Sequence, residues 1–349
     1  MDFEFSDDQY ALRDTVRRFL ADKAPMSYVR SMIEDRRGTS DVVWKGLADL
    51  GVTGLLVDMG MTDMALVLEE MGRAAHPGPF LSSAVAAVST VARVSPDDDL
   101  LTGLADGSLI GTLALHEPGA RYDWRSPTTH VESGHITGAK AFVPDALAAD
   151  VIVAVATDGV YAVDAHDDGV TVDPQPTTDL TRRHGTVTFR QAPARRLGDD
   201  IDMLSDVVDR VGVAMVLDGV GAAQAALDMA VAYAKARVQF DKPIGAFQAV
   251  QHHCADMLQS VEMARAGAYY AAWADDAASP EEAHRAATMA MAFASDALPR
   301  VGATVIQVHG GIGFTWEHDA HLFYKRLLTL AQAFGTASDH LEDLAAIVL

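Results

Sequence analysis

Two segments in the last third of the chain carry residue types that suit a phosphorylated ligand. The first, residues 237–251, reads RVQFDKPIGAFQAVQ. Its Arg237 offers a planar pair of donors that matches two phosphate oxygens, and its Phe240 offers a flat apolar face for a base or a sugar. Gln248 and Gln251 follow near the predicted start of the next helix, where unpaired backbone N–H groups attract anions. The segment therefore predicts an anion-binding corner between two helices.

The second segment, residues 306–317, reads IQVHGGIGFTWE. Its glycines, Gly310, Gly311 and Gly313, let a backbone approach a ligand closely because no Cβ stands in the way. Gln307 precedes them with a side-chain amide. An ordinary helix end would also use such glycines, and a lone arginine would also complement a helix C-terminus. The presence of both segments in one chain favours the binding interpretation.

Histidines near these segments do not predict a metal site. His252 and His253 are adjacent, and on a helix they point about 100 degrees apart, so they cannot easily chelate one ion together. We expect them at the surface or at a subunit contact. His309 is expected to be structural or a minor contact to the ligand.

Three regions of the chain differ in their hydrophobic period. Residues 1–110 repeat apolar side chains at helical spacing, residues 111–198 contain short β-rich runs between turn signals, and residues 199–349 contain long helical patterns. The predicted strands cover residues 109–115, 135–143, 151–156, 160–163, 170–172 and 186–189. Such strands suggest an antiparallel sandwich or barrel, and the long helices suggest a bundle. We therefore predict an α+β fold with an N-terminal helical domain, a middle antiparallel β domain and a C-terminal four-helix-bundle-like domain.

Capping residues mark several predicted helix ends. Ser6 followed by two aspartates is typical of a helix N-cap, and Gly51 is expected to end a short helix. Ser279 predicts the N-cap of a helix over residues 280–308. Residues 202–237 are expected to form one long helix, and a further helix is expected over residues 79–94.

Composition argues against several partner classes. The 349 residues include 27 Lys and Arg against 49 Asp and Glu, a net charge of −22. A surface this acidic repels phosphate backbones and anionic lipids, so we expect neither nucleic acid nor a membrane as a partner. Arg93, Arg210 and Asp218 interrupt the most apolar runs, and the acidic N-terminus is unlike a signal peptide. The single cysteine, Cys254, cannot form an internal disulfide, which predicts a reducing, cytoplasmic location.

Five segments together resemble the acyl-CoA dehydrogenase family. Residues 237–251 and 306–317 are similar to its two C-terminal signatures. Residues 115–118 (LHEP) and 138–146 (GAKAFVPDA) resemble its sheet-domain flavin region, and residues 68–73 (LEEMGR) resemble its N-terminal signature. The resemblance covers the whole chain in the family's order, and it implies the family's three-part fold.

The resemblance also implies a cofactor, a reaction and partners. The cofactor is FAD, bound where two subunits meet, and the reaction is the α,β-dehydrogenation of an acyl-CoA thioester. A carboxylate takes the α proton while the flavin takes the β hydride. The implied partners are the acyl-CoA substrate, a homologous subunit and an electron-transfer flavoprotein. The FAD-binding residues that the resemblance implies are Phe142, Arg237, Phe240, Gln248, Gln307, Gly310, Gly311 and Gly313.

The expected catalytic glutamate is missing from this chain. The family commonly places it before a Gly-Thr pair, and here Phe334 precedes that pair. A second family location corresponds to Val211. Asp209 lies about 200 degrees around the helix from that position and faces elsewhere. Asp218, two turns further on, is the remaining base candidate, and the alternative for it is a capped or ion-paired structural aspartate.

Other family features are also altered. Pro144 stands where a hydroxyl side chain often bonds the flavin, and proline has no N–H either. The usual Gly-Ser pair does not follow Pro118. The Gly-rich stretch that helps to wall the acyl pocket is also missing between residues 57 and 61.

These departures leave several hypotheses open. The favoured one is a subunit of a hetero-oligomeric acyl-CoA dehydrogenase, similar to the bacterial steroid side-chain type, whose partner supplies the base. The first alternative is a self-sufficient homo-oligomer with an atypical base. The second is a non-enzymatic subunit that binds acyl-CoA or flavin. Another flavin chemistry on the same fold, such as nitroalkane oxidation or monooxygenation, also stays open.

Overall fold

Helices build the first part of the chain in the computed structural model, which describes residues 5–120, 122–332 and 334–349. Ser6 caps the first helix as predicted, because its hydroxyl accepts from the Gln9 N–H and the Gln9 side chain accepts from the Ser6 N–H. Gly51, with φ 76°, follows the third helix as predicted. The helices are α1 (Asp7–Lys23), α2 (Met26–Glu34), α3 (Asp41–Asp49), α4 (Leu55–Asp58), α5 (Met61–Arg73), α6 (Val88–Val94) and α7 (Asp99–Ala105).

The predicted helix over residues 79–94 is divided into two forms. Phe80–Ala87 is a π-helix, and it continues directly into α6. The hydroxyl of Ser82 donates to a carboxylate oxygen of Asp145 and that of Ser83 accepts from the Gly111 N–H. This wide helix thus bonds to the β region through two consecutive serines.

Two four-stranded sheets follow. Their strands are β1 (Gly111–Ala114), β2 (His130–Glu132), β3 (His135–Pro144), β4 (Val151–Ala156), β5 (Gly159–Asp164), β6 (Val170–Gln175), β7 (His184–Pro193) and β8 (Arg195–Gly198). The sheet orders are β1-β4-β5-β8 and β2-β3-β7-β6. A small apolar core that includes Ile136, Ile152 and Phe189 contains residues of both sheets, as in a sandwich. Among the described strands of these sheets, only the β1–β4 pair is parallel, so the antiparallel prediction was wrong for β1.

Long helices form the last part of the chain. They are α8 (Ser205–Ala236), α9 (Gln248–Ala277), α10 (Pro280–His309), α11 (Ala320–Leu330) and α12 (Ala337–Val348). A two-stranded hairpin, β9 (Val238–Gln239) and β10 (Lys242–Pro243), joins α8 to α9. Ser279 caps α10 as predicted. The helix–sheet–helix order confirms the predicted α+β fold class.

Helix α8 is the central helix of this part. With its leading 3-10 turn it is long and apolar enough to cross a membrane, although Arg210 and Asp218 lie within it. However, 78% of its most apolar window is buried inside the protein, as expected of a core helix. It crosses α5 at backbone contact. A Cβ on Gly72 would lie 1.8 Å from the Asp218 carbonyl oxygen, and one on Gly221 would lie 1.9 Å from the Glu69 carbonyl oxygen.

Candidate functional site

The two predicted binding segments lie at the same end of the helical bundle. The rings of Tyr233 in the last turn of α8 and His309 in the last turn of α10 stack with their centroids 4.7 Å apart. Arg237 follows α8 directly, and Gly310 follows α10 directly. One chain therefore brings the arginine segment and the glycine turn to one end of the bundle.

The arginine segment presents unpaired groups to solvent. Arg237 is exposed, and within the described part of the chain its guanidinium has no hydrogen-bond or ion-pair partner. Phe240 in the hairpin turn is 85% exposed, has φ 54° and meets the edge of Phe247, with centroids 6.1 Å apart. An exposed phenylalanine on a strained turn is costly in water, which suits a surface that a ligand or a subunit covers.

The glycine turn is open where the sequence predicts a close approach. A Cβ on Gly310 or Gly311 would meet no atom within 4 Å, and Gly310 has φ 63°. Gln307 in the last turn of α10 and Gln248 at the first position of α9 are both exposed. Gly313 differs, because a Cβ there would lie 3.0 Å from the His309 Cβ. Gly313 is therefore needed to pack the turn.

Phe142 is not part of this end of the bundle. It lies on β3 of the sheet region, is 60% exposed and has φ 53°. Its N–H donates to the side-chain oxygen of Gln175 at 2.6 Å. The register of β3 against β7 shifts between Lys140 and Val143, so the strand bulges here and turns the Phe142 ring outward.

A second group of residues surrounds the position of the missing base. Phe334, which has φ 53°, lies against His116 with ring centroids 5.8 Å apart. Burial lowers the pKa of His116, and the nearby Lys140 lowers it further, so the imidazole is neutral. The contact joins the start of the loop after β1 to the turn before α12. It places two uncharged rings at the position where the resemblance to the family implies a carboxylate.

Glu117, the nearest carboxylate in sequence to His116, is fully engaged. Its oxygens accept from Lys140 Nζ at 2.9 Å, from the Thr128 N–H and hydroxyl at 2.8 and 2.6 Å, and from the Thr129 N–H at 2.9 Å. Burial alone would raise the pKa of Glu117, but these bonds lower it to about 2. A carboxylate this stable as an anion is a weak base. The role of Glu117 is therefore structural, because its bonds to Lys140, Thr128 and Thr129 hold its loop on the sheet.

Pro144 has no group to offer a ligand ring. Its carbonyl oxygen accepts from the Thr112 hydroxyl at 2.5 Å, and its side chain has no donor. Pro144 therefore cannot replace the flavin-binding hydroxyl that the family often has at this position.

Asp218 lies inside the protein in an ion-paired environment. It is 4% exposed, and its Oδ1 accepts from Arg182 Nη2 at 2.8 Å and from Arg326 Nη1 at 3.3 Å. Two guanidinium groups thus share one buried carboxylate oxygen. This geometry favours the ion-paired alternative over the base candidate. Val211 is buried and Asp209 bonds His284 of α10, with Oδ2 and Nδ1 2.7 Å apart.

The partners of Asp218 were not identified as site residues from the sequence. Arg182 lies in the loop between β6 and β7, and Arg326 is buried in α11. Arginine is almost never fully buried unless it is paired. Arg326 stands within the apolar pattern of residues 320–330. That position was the sequence signal for a buried ion pair.

The residues at the bundle end fit the adenylate half of FAD. Arg237 supplies an unpaired cation for a diphosphate, Gly310 and Gly311 leave backbone exposed at the turn after a helix, and Phe240 supplies an apolar face. The sheet-side position fits the flavin ring less well, because Pro144 provides no hydroxyl.

Comparison with known proteins identifies the family. Residues 6–99 match the family described as acyl-CoA dehydrogenase, N-terminal domain, and residues 207–349 match acyl-CoA dehydrogenase, C-terminal domain. The chain is 33% identical over 353 residues to the acyl-CoA dehydrogenase IpdE2 of Mycolicibacterium smegmatis, covering 98% of this chain and 99% of that protein.

Solved structures show the same likeness. A variant of the Tcur3481–Tcur3483 steroid ACAD matches with a TM-score of 0.89 and 28% identity, over 98% of each chain. The ChsE4–ChsE5 complex of Mycobacterium tuberculosis matches with a TM-score of 0.89 and 26% identity, over 99% of this chain and 98% of that one. The predicted family and cofactor are thus confirmed: the chain belongs to the acyl-CoA dehydrogenase family of oxidoreductases, whose cofactor is FAD.

Proposed function

We propose that this chain is one subunit of a hetero-oligomeric acyl-CoA dehydrogenase and that a homologous partner subunit supplies the catalytic base. The observation that carries the proposal is Phe334, which stands before Gly335 and packs against His116. Phenylalanine cannot accept a proton. The other candidate carboxylates, Glu117 and Asp218, are each engaged in a buried ion pair.

The chemistry of the family defines what the partner must add. The α proton of a thioester is weakly acidic, so its removal needs a desolvated carboxylate and hydrogen bonds to the thioester carbonyl. FAD, when bound, supplies the acceptor for the β hydride. In this chain the residues suited to FAD are those that would hold its diphosphate and adenosine. The proposal thus assigns cofactor binding to this chain and proton removal to the partner.

The residues suited to the adenylate half, Arg237, Phe240, Gly310 and Gly311, form a cradle at the bundle end that would act across the subunit boundary. With a net charge of −22, the chain repels an anionic cofactor overall, so binding depends on local donors. Arg237, with the turn at Gly310 and Gly311, would hold the diphosphate while the flavin ring lies on the partner's sheet region. Two of the similar solved structures pair differently named chains, which supports this arrangement.

The proposed substrate class is a bulky, ring-containing acyl-CoA. The connection from α4 to α5 consists only of Met59 and Gly60, so the wall that this stretch builds in the family is short here. One similar structure is of a protein described as a steroid ACAD, which supports the same substrate class. The proposed electron acceptor is an electron-transfer flavoprotein, on the resemblance to the family, and the proposed location is the cytoplasm.

The proposal is tested by flavin stoichiometry and turnover. The chain is expressed alone and together with a homologous subunit from the same genome that has a glutamate before its Gly-Thr pair. We expect the isolated chain to be colourless, and the purified pair to contain about one FAD per two chains and to be bleached by an acyl-CoA. A yellow isolated chain that an acyl-CoA reduces would overturn the proposal in favour of a self-sufficient homo-oligomer.

Matched variants locate the base. Replacing the partner's glutamate by glutamine should abolish turnover but leave FAD bound, whereas Phe334→Leu in this chain should leave turnover within about twofold because neither side chain transfers a proton. Loss of turnover in Phe334→Leu with normal FAD content would contradict the assignment. Absence of FAD from every combination would instead support a non-enzymatic subunit.

A further inference from the structure

A cluster of buried ionic groups joins the sheet region to the helices. Arg182 pairs with Asp218 of α8, and Arg326 of α11 bonds the same carboxylate. Arg326 also donates to the Thr181 hydroxyl at 2.7 Å and has Nε 3.5 Å from Asp179 Oδ2. The cluster therefore ties the β6–β7 loop to two helices. It does not contain the cradle residues and does not depend on the function proposed above.

The ion-paired side chains of this cluster balance one another. Two guanidinium groups, on Arg182 and Arg326, face two carboxylates, on Asp179 and Asp218. All four are nearly inaccessible, with side-chain exposures of 12, 3, 1 and 5%, respectively. A third anion beside them would have no ion pair of its own among the described residues, and a buried charge without a paired partner is strongly unfavourable.

Asp145 is the third acid at this junction, and it lacks the contacts of an anion. It directly follows β3 and is 2% exposed. Its Oδ2 accepts one hydrogen bond, from the Ser82 hydroxyl at 2.7 Å, and its buried Oδ1 has no partner in the described structure. An ionised carboxylate offers about four acceptor sites, so one hydrogen bond leaves it poorly satisfied.

We propose that Asp145 is an uncharged carboxylic acid in the folded protein at neutral pH and that its ionisation loosens the contact between the sheets and the helices. Because Arg182 and Arg326 are already paired with Asp218 and Asp179, the neutral form of Asp145 leaves those pairs undisturbed. Ser82 lies on the π-helix, so the acid links that helix to the end of β3. This end of β3 also carries Phe142.

The remaining ionisable groups near the cluster are two histidines, which are uncharged, and Arg183, whose charge acts on Asp145 without a direct bond to its carboxyl group. Burial, followed by the charges of Arg326 and Arg182, lowers the pKa of His76 to about 3, and burial and Arg182 lower that of His184 to about 4, so both are neutral. The Arg183 guanidinium donates to backbone carbonyls, including those of Met32 and Ile33 at the end of α2.

The balance of effects on Asp145 favours the neutral form. Burial raises its pKa, against the opposing influence of Arg182, the Ser82 hydrogen bond, Arg183 and Arg326. Because the folded-state pKa lies above the unfolded value of 3.8, the folded state binds the proton over a range where the unfolded state has lost it. Stability is then unaffected below about pH 3.8 and falls as pH rises towards the folded-state pKa.

The test compares Asp145→Asn with the unaltered protein by urea unfolding of the full chain across pH. The amide is close in shape and cannot ionise. We expect the variant to gain relative stability as pH rises above about 4, by up to about tenfold in the folding constant per pH unit, until Asp145 ionises in the fold. A difference that is independent of pH, or a variant that loses relative stability with rising pH, overturns the proposal.

A control and a direct observation support the assignment of the titrating group. Ser82→Ala removes one hydrogen bond but keeps the carboxyl group, so it should retain the pH-dependent slope that Asp145→Asn loses. Infrared difference spectra at neutral pH should contain a carbonyl band of a protonated carboxyl group, and Asp145→Asn should lack it. An unaltered protein without that band contradicts a neutral Asp145.

Discussion

The carboxylate of Asp218 and the guanidinium of Arg182 face each other between the helices and the sheets, with Oδ1 and Nη2 2.8 Å apart. Their side chains are 5 and 12% exposed, so the pair is almost entirely removed from water. Breaking a buried pair leaves an uncompensated charge, whereas the intact pair contributes little net stability. The geometry therefore favours a structural role for Asp218, as an ion-pair partner, over a role as catalytic base. Measurements of stability and of rate distinguish these two roles.

Asp218→Asn should destabilise the fold without changing proton transfer. We expect the free energy of unfolding to fall by about 3–5 kcal/mol because Arg182 and Arg326 lose their shared anion. In the active complex, kcat per bound flavin and the pH at which kcat/KM falls on the acid side should both stay unchanged. Urea unfolding and a pH–rate profile measure these effects. If Asp218 were the base, kcat would fall by orders of magnitude in protein that is still folded.

The glycine turn should tolerate a methyl group structurally but not functionally. Gly311→Ala meets no atom within 4 Å in the chain itself, so thermal stability should change little. FAD should bind at least about tenfold more weakly, since loss of even one hydrogen bond to a charged group costs about 1.5–3 kcal/mol. Fluorescence titration of the deflavinated complex measures the dissociation constant.

Gly267 provides the matched control for this turn. It lies in α9, and a Cβ there also meets no atom within 4 Å. Gly267→Ala should raise stability by about 0.5–1 kcal/mol, because alanine restricts the unfolded chain and favours helix, and it should leave FAD affinity unchanged. Equal loss of FAD affinity in both variants would show that the turn has no special role.

Local patterns predicted most elements of this fold. The strand predicted over residues 151–156 matches β4. The helix predicted over residues 202–237 differs from α8 by a short 3-10 turn at its start and by one residue at its end. Their periods are long or uniform enough to indicate the structure without tertiary contacts. The π-helix at Phe80–Ala87 was missed because its apolar residues would also suit an α-helix. β2 was also missed, because its three residues are too few to show a hydrophobic period.

Contacts between distant residues set the limit of prediction for the site. The motif alone indicates that Phe334 replaces a glutamate, but its packing on His116 joins residues far apart in sequence. Asp218 lies 36 residues from Arg182 and 108 from Arg326, so no local pattern connects them. By contrast, Arg237 and Gly310 each end a long helix of one bundle, and the helix lengths bring them to the same end.

Lys140→Met should release the loop that begins at Glu117. Lys140 is fully buried and its Nζ lies 2.9 Å from Glu117 Oε1, so the variant leaves a buried, unpaired carboxylate and should cost about 3–5 kcal/mol. Adding Glu117→Gln should recover part of that loss, because no buried charge then remains. Chemical denaturation of the unaltered protein, the two single variants and the double variant gives the coupling free energy between Lys140 and Glu117. An additive double variant would contradict a direct pair.

Glu117 should also make the protein sensitive to acid. Its folded-state pKa of about 2 lies below the ordinary value of 4.5, so its stabilisation is fully present above about pH 4.5 and is lost as pH falls towards 2. Glu117→Gln should therefore differ most from the unaltered protein near neutral pH and least at strong acidity. Unfolding by urea at several acidic pH values tests the sign, and a difference that grows on acidification would contradict it.

His284 and Asp209 should produce the opposite dependence on pH. The hydrogen bond and charge of Asp209 raise the pKa of His284 above 6.5, although partial burial opposes the shift. The stabilisation is therefore complete below about pH 6.5 and is lost as pH rises through the raised folded-state pKa. Because His284 is half exposed, the effect should not exceed about 1 kcal/mol. His284→Gln should be less stable than the unaltered protein near pH 6 and approach it by about pH 9 in urea unfolding. A difference that grows with pH would show that the imidazole is neutral in the folded state.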